Sequence, residues 1–389
     1  MRKTRKHRSI VHVLGMWVFN ILYRHSKIED NKIFFMSFSN QYDCNPKYIC
    51  EELLKSVANC KIVFATNKNA KNTGVFPKNV TVVSKGTPNF YKEIYSSKVI
   101  IENDIRIAFL GFKKKKSQVV FNTFHGSIGI KAFGRQANND VLWHKMADKA
   151  ASMTDFMISN STFENNIYRT TFWQNNEILL LGHARNDVLF IHEKARQNLK
   201  DKICKFYKIN KDNKLCLYAP TFRDDEDLSI FQLNFNKLSE ALSQKFGGNW
   251  TILFRYHHLT NETILDKHLS KEVVDVSDYP DIQELASVIE CGITDYSSWI
   301  CEYVLRRKPG FIYAPDAEKY KKDERPLTIP LHELPFPLGT TFEELRKAIQ
   351  DFDNEKYKKT CDEFLKKHGS VDDGHASERI VKKIKEYIS

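Results

Sequence analysis

From Asn31 onward the chain alternates short apolar runs with amphipathic stretches, and this alternation leaves few folds open to it. Lys32–Ser37, Cys60–Thr66, Val80–Ser84, Lys98–Glu102 and Gln118–Thr123 are strand-like. Asn45–Val57 and Pro88–Ser96 are helix-like, the former with Ile49, Leu53 and Val57 on one face. Strands separated by helical segments imply a mostly parallel sheet covered by helices, because parallel neighbours need a long crossover. After a polar stretch at His192–Asp212 the pattern restarts with Leu215–Ala219, Thr251–Arg255, Glu272–Val276, Gly292–Asp295 and Gly310–Ala314. Two Rossmann-like α/β units joined near residue 200 account for the 389 residues, in line with roughly 100–200 residues per domain. The expected organisation is an N-terminal segment 1–30, a first domain 31–198, and a second domain 199–389 that ends in two amphipathic helices over Thr341–Ser389.

Four polar clusters follow directly on predicted strands. They are Phe124-His125-Gly126-Ser127, Pro220-Thr221-Phe222-Arg223, Arg255-Tyr256-His257-His258 and Asp295-Tyr296-Ser297-Ser298. Ligands of open α/β sheets bind outside the carboxyl ends of the strands, so four clusters so placed point to one cleft. Ser297-Ser298 opens a predicted helix, where free backbone N–H groups suit a phosphate; the plainer alternative is that either serine only caps that helix. Arg255 and His257, two apart at a strand end, can point the same way. A guanidinium binds phosphate oxygens bidentately, and an imidazole carries a proton or donates to an oxyanion. His125 lies in a Gly-flanked turn that lets backbone approach a ligand closely.

The formal charge of +12 favours anionic partners: nucleic acid, acidic lipid headgroups or phosphorylated substrates. Arg2, Lys3, Arg5, Lys6 and Arg8 crowd the start, and Lys113 to Lys116 form a second run. The first run leads into the mostly apolar Ile10–Tyr23, shorter than the ~20 residues of a spanning helix. No small-x-small cleavage site follows. The segment reads as a retained helix lying in the membrane interface, with Trp17, Phe19 and Tyr23 at the headgroups; the alternative is a first helix packed on the protein's own core. None of the eight cysteines has C-x-x-C spacing, so free, buried thiols of a reducing compartment are expected. The sequence has no G-x-G-x-x-G fingerprint, no G-x-x-x-x-G-K-[ST] loop and no H-E-x-x-H. Asp224-Asp225-Glu226-Asp227 reads as a solvated loop, and neither a metal nor a cofactor is expected. A purely binding protein for anionic lipid or nucleic acid would explain the charge but not the four clusters, and no nucleic-acid partner is expected.

At these residues the sequence resembles the CDP-glycerol glycerophosphotransferase family of teichoic-acid and capsule polyol-phosphate transferases. Asn122-Thr123-Phe124-His125-Gly126-Ser127 is similar to the family's (Q/N)-T-W-H-G-T, Pro220-Thr221-Phe222-Arg223 to its P-T-(F/W)-R, and Leu253 through His258 to its L-(L/F)-R-x-H-P. Asn45-Pro46-Lys47, Gly182–Asp187 and the run from Asp275 to Tyr279 through Thr294–Ser298 to Pro315-Asp316 match too. His258 stands where Pro is usual, and Glu302 where Asp is usual.

The resemblance implies a GT-B-type fold, an acceptor-binding first domain and a second domain that holds a CDP-polyol, CDP-glycerol or CDP-ribitol. By that resemblance His125, Gly126, Ser127, Ile128 and Gly129 line the reacting end. Arg185 matches the family's Arg of G-x-P-R-N-D and is expected to bind substrate. Pro220, Thr221, Arg223, Arg255, Tyr256 and His257 meet the donor, Ser297 and Ser298 bind phosphate, and Glu302 holds a polyol hydroxyl. The implied reaction is polyol-phosphate transfer to a lipid-linked saccharide or polyol-phosphate polymer at the cytoplasmic face of a bacterial membrane, releasing CMP. His125 serves as general base, and Arg255 and His257 stabilise charge. The rival within the same fold is a nucleotide-sugar glycosyltransferase of surface polysaccharide synthesis.

Overall fold

The computed structural model describes residues 10–67, 75–127, 129–137, 140–171, 173–221, 233–256, 273–323 and 326–388. The chain forms two compact units. The first comprises Met1–His125, Asn138–Asp187 and Val371–Ser389, and the second Gly126–Ala137 and Val188–Ser370.

The first unit is built on a seven-stranded, all-parallel sheet. Its strands are β1 (Glu29–Met36), β2 (Lys61–Thr66), β3 (Val80–Ser84), β4 (Ser97–Glu102), β5 (Val119–Asn122), β6 (Phe156–Ser159) and β7 (Glu177–Leu180), in the order β3-β2-β1-β4-β5-β6-β7. Strands covered on both faces read as unbroken apolar runs; Ile33, Phe34 and Phe35 of β1 and Val99, Ile100 and Ile101 of β4 are all fully buried. Its helices are α1 (Ile10–Tyr23), α2 (Cys44–Ser56), α3 (Pro88–Ser96), α4 (Val141–Met153), α5 (Thr162–Thr171) and, from the C-terminal end of the chain, α13 (Ala376–Ile384). Thr87 caps α3, its side chain accepting from the Phe90 N–H, and Pro88 fits the first turn, where its missing donor costs nothing.

The second unit has a six-stranded parallel sheet in the order β10-β9-β8-β11-β12-β13. The strands are β8 (Lys214–Tyr218), β9 (Trp250–Phe254), β10 (Val273–Asp275), β11 (Cys291–Thr294), β12 (Gly310–Tyr313) and β13 (Leu338–Gly339). Helices α6 (Glu193–Tyr207), α7 (Phe235–Phe246), α8 (Ile282–Val288), α9 (Trp299–Tyr303), α10 (Ala317–Asp323), α11 (Phe342–Gln350) and α12 (Asn354–His368) complete it. Gly292 of β11 allows α9 to lie close on the strand: a Cβ there would stand 2.9 Å from the Trp299 ring and 3.1 Å from Tyr303. A short stretch after His125 joins this unit, Ala132 N–H donating to the Pro326 carbonyl (2.8 Å) and Thr328 N–H to Ile130 (2.7 Å).

The single boundary expected near residue 199 is not where the units divide. The last 19 residues, Val371–Ser389, return to the first unit, where α13 packs on α2. Both oxygens of the Asp187 carboxylate accept from the first N–H groups of α13, Ala376 (2.9 Å) and Ser377 (2.7 Å), the favourable placement of negative charge at a helix start. Three helices, not two, occupy Thr341–Ser389.

Helix α1 bears on both readings of the N-terminal segment. Phe19 meets Tyr91 of α3 with ring centroids 5.7 Å apart. Asn20 donates to the Leu110 carbonyl (3.0 Å) and accepts from the Tyr95 hydroxyl (2.7 Å), so one face belongs to the core of the first unit. Trp17 (65% exposed) and Leu22 (62%), with Val18 and Ile21, face away from it. Among the described residues no helix is long and apolar enough to cross a membrane. The lysine run is not a uniformly free patch. Lys114 pairs with Asp155 at 2.5 Å, and Lys115 donates to the carbonyls of Ser26 and Tyr95. All eight cysteines are free, and all but Cys60 are buried.

Candidate functional site

In each sheet the strand order reverses once: between β1 and β4 in the first, and between β8 and β11 in the second. Ligands of such sheets bind at the carboxyl ends of the strands flanking the reversal. The four sequence clusters divide between the sheets, one at the end of β5 and three at the ends of β8, β9 and β11.

In the first unit His125 stands three residues beyond β5 and is enclosed from several sides. Its ring stacks on Phe38, which follows β1, and on Phe124, with centroids 4.5 and 4.3 Å away. Nδ1 lies 2.7 Å from the backbone carbonyl of Asn103, which follows β4. A carbonyl only accepts, so Nδ1 carries the hydrogen and Nε2 of the neutral ring keeps its lone pair. The Asn103 side chain in turn accepts from the Phe38 N–H at 2.7 Å. Burial pushes the imidazole below its ordinary value, and Asp104 and the bond to Asn103 offset this only in part. A neutral imidazole with a fixed tautomer, whose Nε2 has no hydrogen-bond partner among the described residues, is poised to accept a proton at neutral pH.

The turn that carries His125 is unusual for its residue type. Phe124 has φ of +47°, a left-handed conformation uncommon for a bulky side chain. Its N–H donates to Asn122 Oδ1 at 2.9 Å. Asn45 Nδ2 reaches the carbonyls of Thr123 (3.3 Å) and Phe124 (3.2 Å). Arg185 is buried, and its Nη1 donates to the His125 carbonyl (2.7 Å) and lies 3.3 Å from Cys44 Sγ.

In the second unit one carboxylate ties two strand ends together. Asp295, after β11, accepts from the Thr221 N–H (2.8 Å), after β8, and from the Tyr296 N–H (2.5 Å). Thr294 Oγ1 and the Trp299 indole both donate to the Ala219 carbonyl. Pro220 and Thr221 are therefore held beside the turn that presents Ser297 and Ser298, both half-buried. Ser298 flanks α9, but its hydroxyl makes no capping hydrogen bond, so its side chain is not committed to the helix. Helix α9 has five residues and runs on into a 3₁₀ turn, Val304–Arg306. An ideal Cβ on Gly126 would lie 3.9 Å from Ser298 Oγ, which places this glycine in the same neighbourhood of the second unit.

Arg255 is more structural than its motif suggests. Its Nη1 donates to the carbonyls of Val276 (2.9 Å) and Tyr279 (2.6 Å), and the Tyr256 N–H donates to Ser277 Oγ (2.8 Å). These bonds fasten the end of β9 to the Asp275–Tyr279 segment. Glu302 is almost wholly buried and accepts from the Gln283 amide. Ser127 is buried and Gly129 half-buried. Ile128, Arg223, His257 and the acidic run Asp224–Asp227 lie outside the described residues. Among the described residues no group of three or more His, Cys, Asp or Glu is disposed to hold a metal ion.

Asn103 and Phe38 are not among the residues singled out in the sequence, whereas Asp295 opens the Asp295-Tyr296-Ser297-Ser298 cluster and its carboxylate proves to join the ends of β8 and β11. Glu102-Asn103-Asp104 follows the apolar run Lys98–Ile101, so the rule that found the other clusters applies to it as well.

Two all-parallel units, each with its polar cluster at the strand reversal, define a fold of the GT-B-like class. Residues 18–386 match the model of the CDP-glycerol:poly(glycerophosphate) glycerophosphotransferase family, and the chain belongs to that family. It is 28% identical to a teichoic acid poly(glycerol phosphate) polymerase of Staphylococcus epidermidis, over 98% of this chain and 53% of that one. It is 29% identical to a teichoic acid glycerol-phosphate transferase of Staphylococcus aureus, over 91% and 92%. The chain thus spans about half the length of the first relative and nearly all of the second. Its structure is similar to that of the wall teichoic acid polymerase TagF, with a TM-score of 0.82 and 28% identity over 99% of both chains.

Proposed function

We propose that this protein transfers glycerol phosphate from CDP-glycerol to a hydroxyl of a lipid-linked or polymeric teichoic-acid-type acceptor. The observation that carries the reading is the His125 imidazole, whose tautomer is set by the Asn103 carbonyl, in a chain of the CDP-glycerol:poly(glycerophosphate) glycerophosphotransferase family. The acceptor oxygen attacks the glycerol-side phosphorus and a new P–O bond forms. The acceptor proton passes to His125 Nε2. The P–O bond to the CMP phosphate breaks, and CMP leaves with the electron pair. Ser297, Ser298 and the backbone around Thr221 hold the pyrophosphate, Arg255 and His257 offset its charge, and no metal takes part in the chemistry. The phosphoryl centre needs positioning and charge stabilisation more than covalent assistance.

Membrane association follows in the same reading. The protein works at the cytoplasmic face of the membrane, with Trp17, Val18, Ile21 and Leu22, exposed on α1, in the headgroup layer.

Calorimetric titration tests the donor assignment. CDP-glycerol and CMP are expected to bind, and UDP and UDP-sugars to bind far more weakly; preferential binding of a UDP-sugar would point to glycosyl transfer instead.

A further inference from the structure

The structure assigns Asn45 and Arg185 as positioning residues for His125, a paired buried brace that holds the turn bearing the base without taking part in the chemistry. The inference rests on the reading of His125 as general base. Three successive carbonyls, those of Thr123, Phe124 and His125, each receive a hydrogen bond from this pair: the first two from Asn45 Nδ2 and the third from Arg185 Nη1. The pair is itself joined, because the Arg185 N–H donates to Asn45 Oδ1 at 3.0 Å. Asn45 is fully buried and Arg185 nearly so.

Each partner comes from a different part of the first unit. Asn45 is the second residue of α2, and Arg185 is the second residue of the 3₁₀ turn Ala184–Phe190 after β7. The segment they grip includes the left-handed Phe124, a conformation that persists only where its surroundings over-determine it. The three carbonyl oxygens of such a turn would otherwise be satisfied by water; here they are satisfied by two buried side chains, which fixes the turn in place. The Nδ1 bond to Asn103 sets the tautomer and rotation of the ring, whereas the brace sets the position of the backbone from which the ring projects. A base must come within hydrogen-bond reach of the proton it takes, and a shift of about 1 Å in such a group can cost on the order of 10²-fold in rate.

Asn45→Asp is the sharpest probe. It keeps the side-chain shape and the acceptor for the Arg185 N–H, and it replaces the donor that faces two carbonyls with an oxygen. Turnover of CDP-glycerol is expected to fall on the order of 10²-fold in kcat, with the donor KM unchanged and the melting transition retained. Arg185→Lys, which preserves the buried charge, should keep more of kcat than Arg185→Ala, and it carries the same test if Asn45→Asp fails to fold. A double-mutant cycle separates positioning from general structural damage: in a His125→Ala background, Asn45→Asp should cause no further loss of the residual turnover. An unchanged kcat in the folded variant, or a loss that is fully additive in the His125→Ala background, overturns the brace. Near-normal turnover by His125→Ala alone overturns the base assignment and the brace together, so the two failures are distinguishable.

Discussion

The two strand reversals are built from different materials. In the first unit the proposed base, His125, is held by backbone carbonyls, stacked rings and buried side chains: Asn103, Phe38, Phe124, Asn45 and Arg185. In the second, the carboxylate of Asp295 gathers backbone N–H groups and leaves Ser297 and Ser298 half-exposed, the latter with its hydroxyl free of any capping role. The contrast fits a division of labour. A proton acceptor gains from a fixed tautomer and position, because proton transfer depends steeply on distance. A site for a charged diphosphate gains instead from accessible donors at a turn, which can close around oxygens as they arrive.

The largest expected effect lies in the first unit. His125→Ala should lower turnover by roughly 10²–10⁴-fold and leave the affinity for CMP unchanged; a parallel loss of CMP affinity would blur the division. The same residue predicts a pH dependence. Burial lowers its pKa below the ordinary 6.5, so the base stays unprotonated to more acidic pH than a free imidazole, and the acid limb of kcat/KM should lie below pH 6.5. An acid limb above that value would mean another group titrates.

In the second unit, replacing Ser297 and Ser298 together by Ala should weaken CDP-glycerol and CMP alike, by roughly 1–3 kcal/mol if two charge-assisted bonds are lost. Loss of a cap alone would lower stability by about 1 kcal/mol and leave affinity intact. Calorimetry and a melting curve on the same double variant decide between these outcomes. The last expected effect concerns α1, away from both strand reversals. Trp17→Glu and Leu22→Glu alter exposed side chains, so the fold should survive, while binding to anionic vesicles should drop by about 10-fold or more for each apolar side chain withdrawn. Unchanged vesicle binding would remove α1 from the membrane reading.

Most of the sheet scaffold was legible because a buried parallel strand is an unbroken apolar run. Val80–Ser84 and Pro88–Ser96 coincide with β3 and α3, and the other assigned strands shift by no more than a few residues. Strands β6, β7 and β13 escaped notice, although β5, β10, β11 and β12, which were found, are no longer than four residues either. The return of α13 to the first unit was not legible at all, since it depends on Asp187 meeting Ala376 and Ser377 across 189 and 190 residues of chain. The strand-end rule located His125, Thr221, Arg255 and Ser297-Ser298. It could not tell what Arg185 and Arg255 do with their guanidinium groups, because both donate to backbone carbonyls whose positions only the folded chain defines.

The most direct test of the account is the reaction itself. The protein is incubated with a lipid-linked acceptor and, in turn, CDP-glycerol, CDP-ribitol and a UDP-sugar, and the released nucleotide and the product mass are measured together. The expected result is CMP release with CDP-glycerol and a product heavier by glycerol phosphate, with both signals lost in His125→Ala. Sugar transfer from the UDP donor, or CMP release that persists undiminished in His125→Ala, would contradict it.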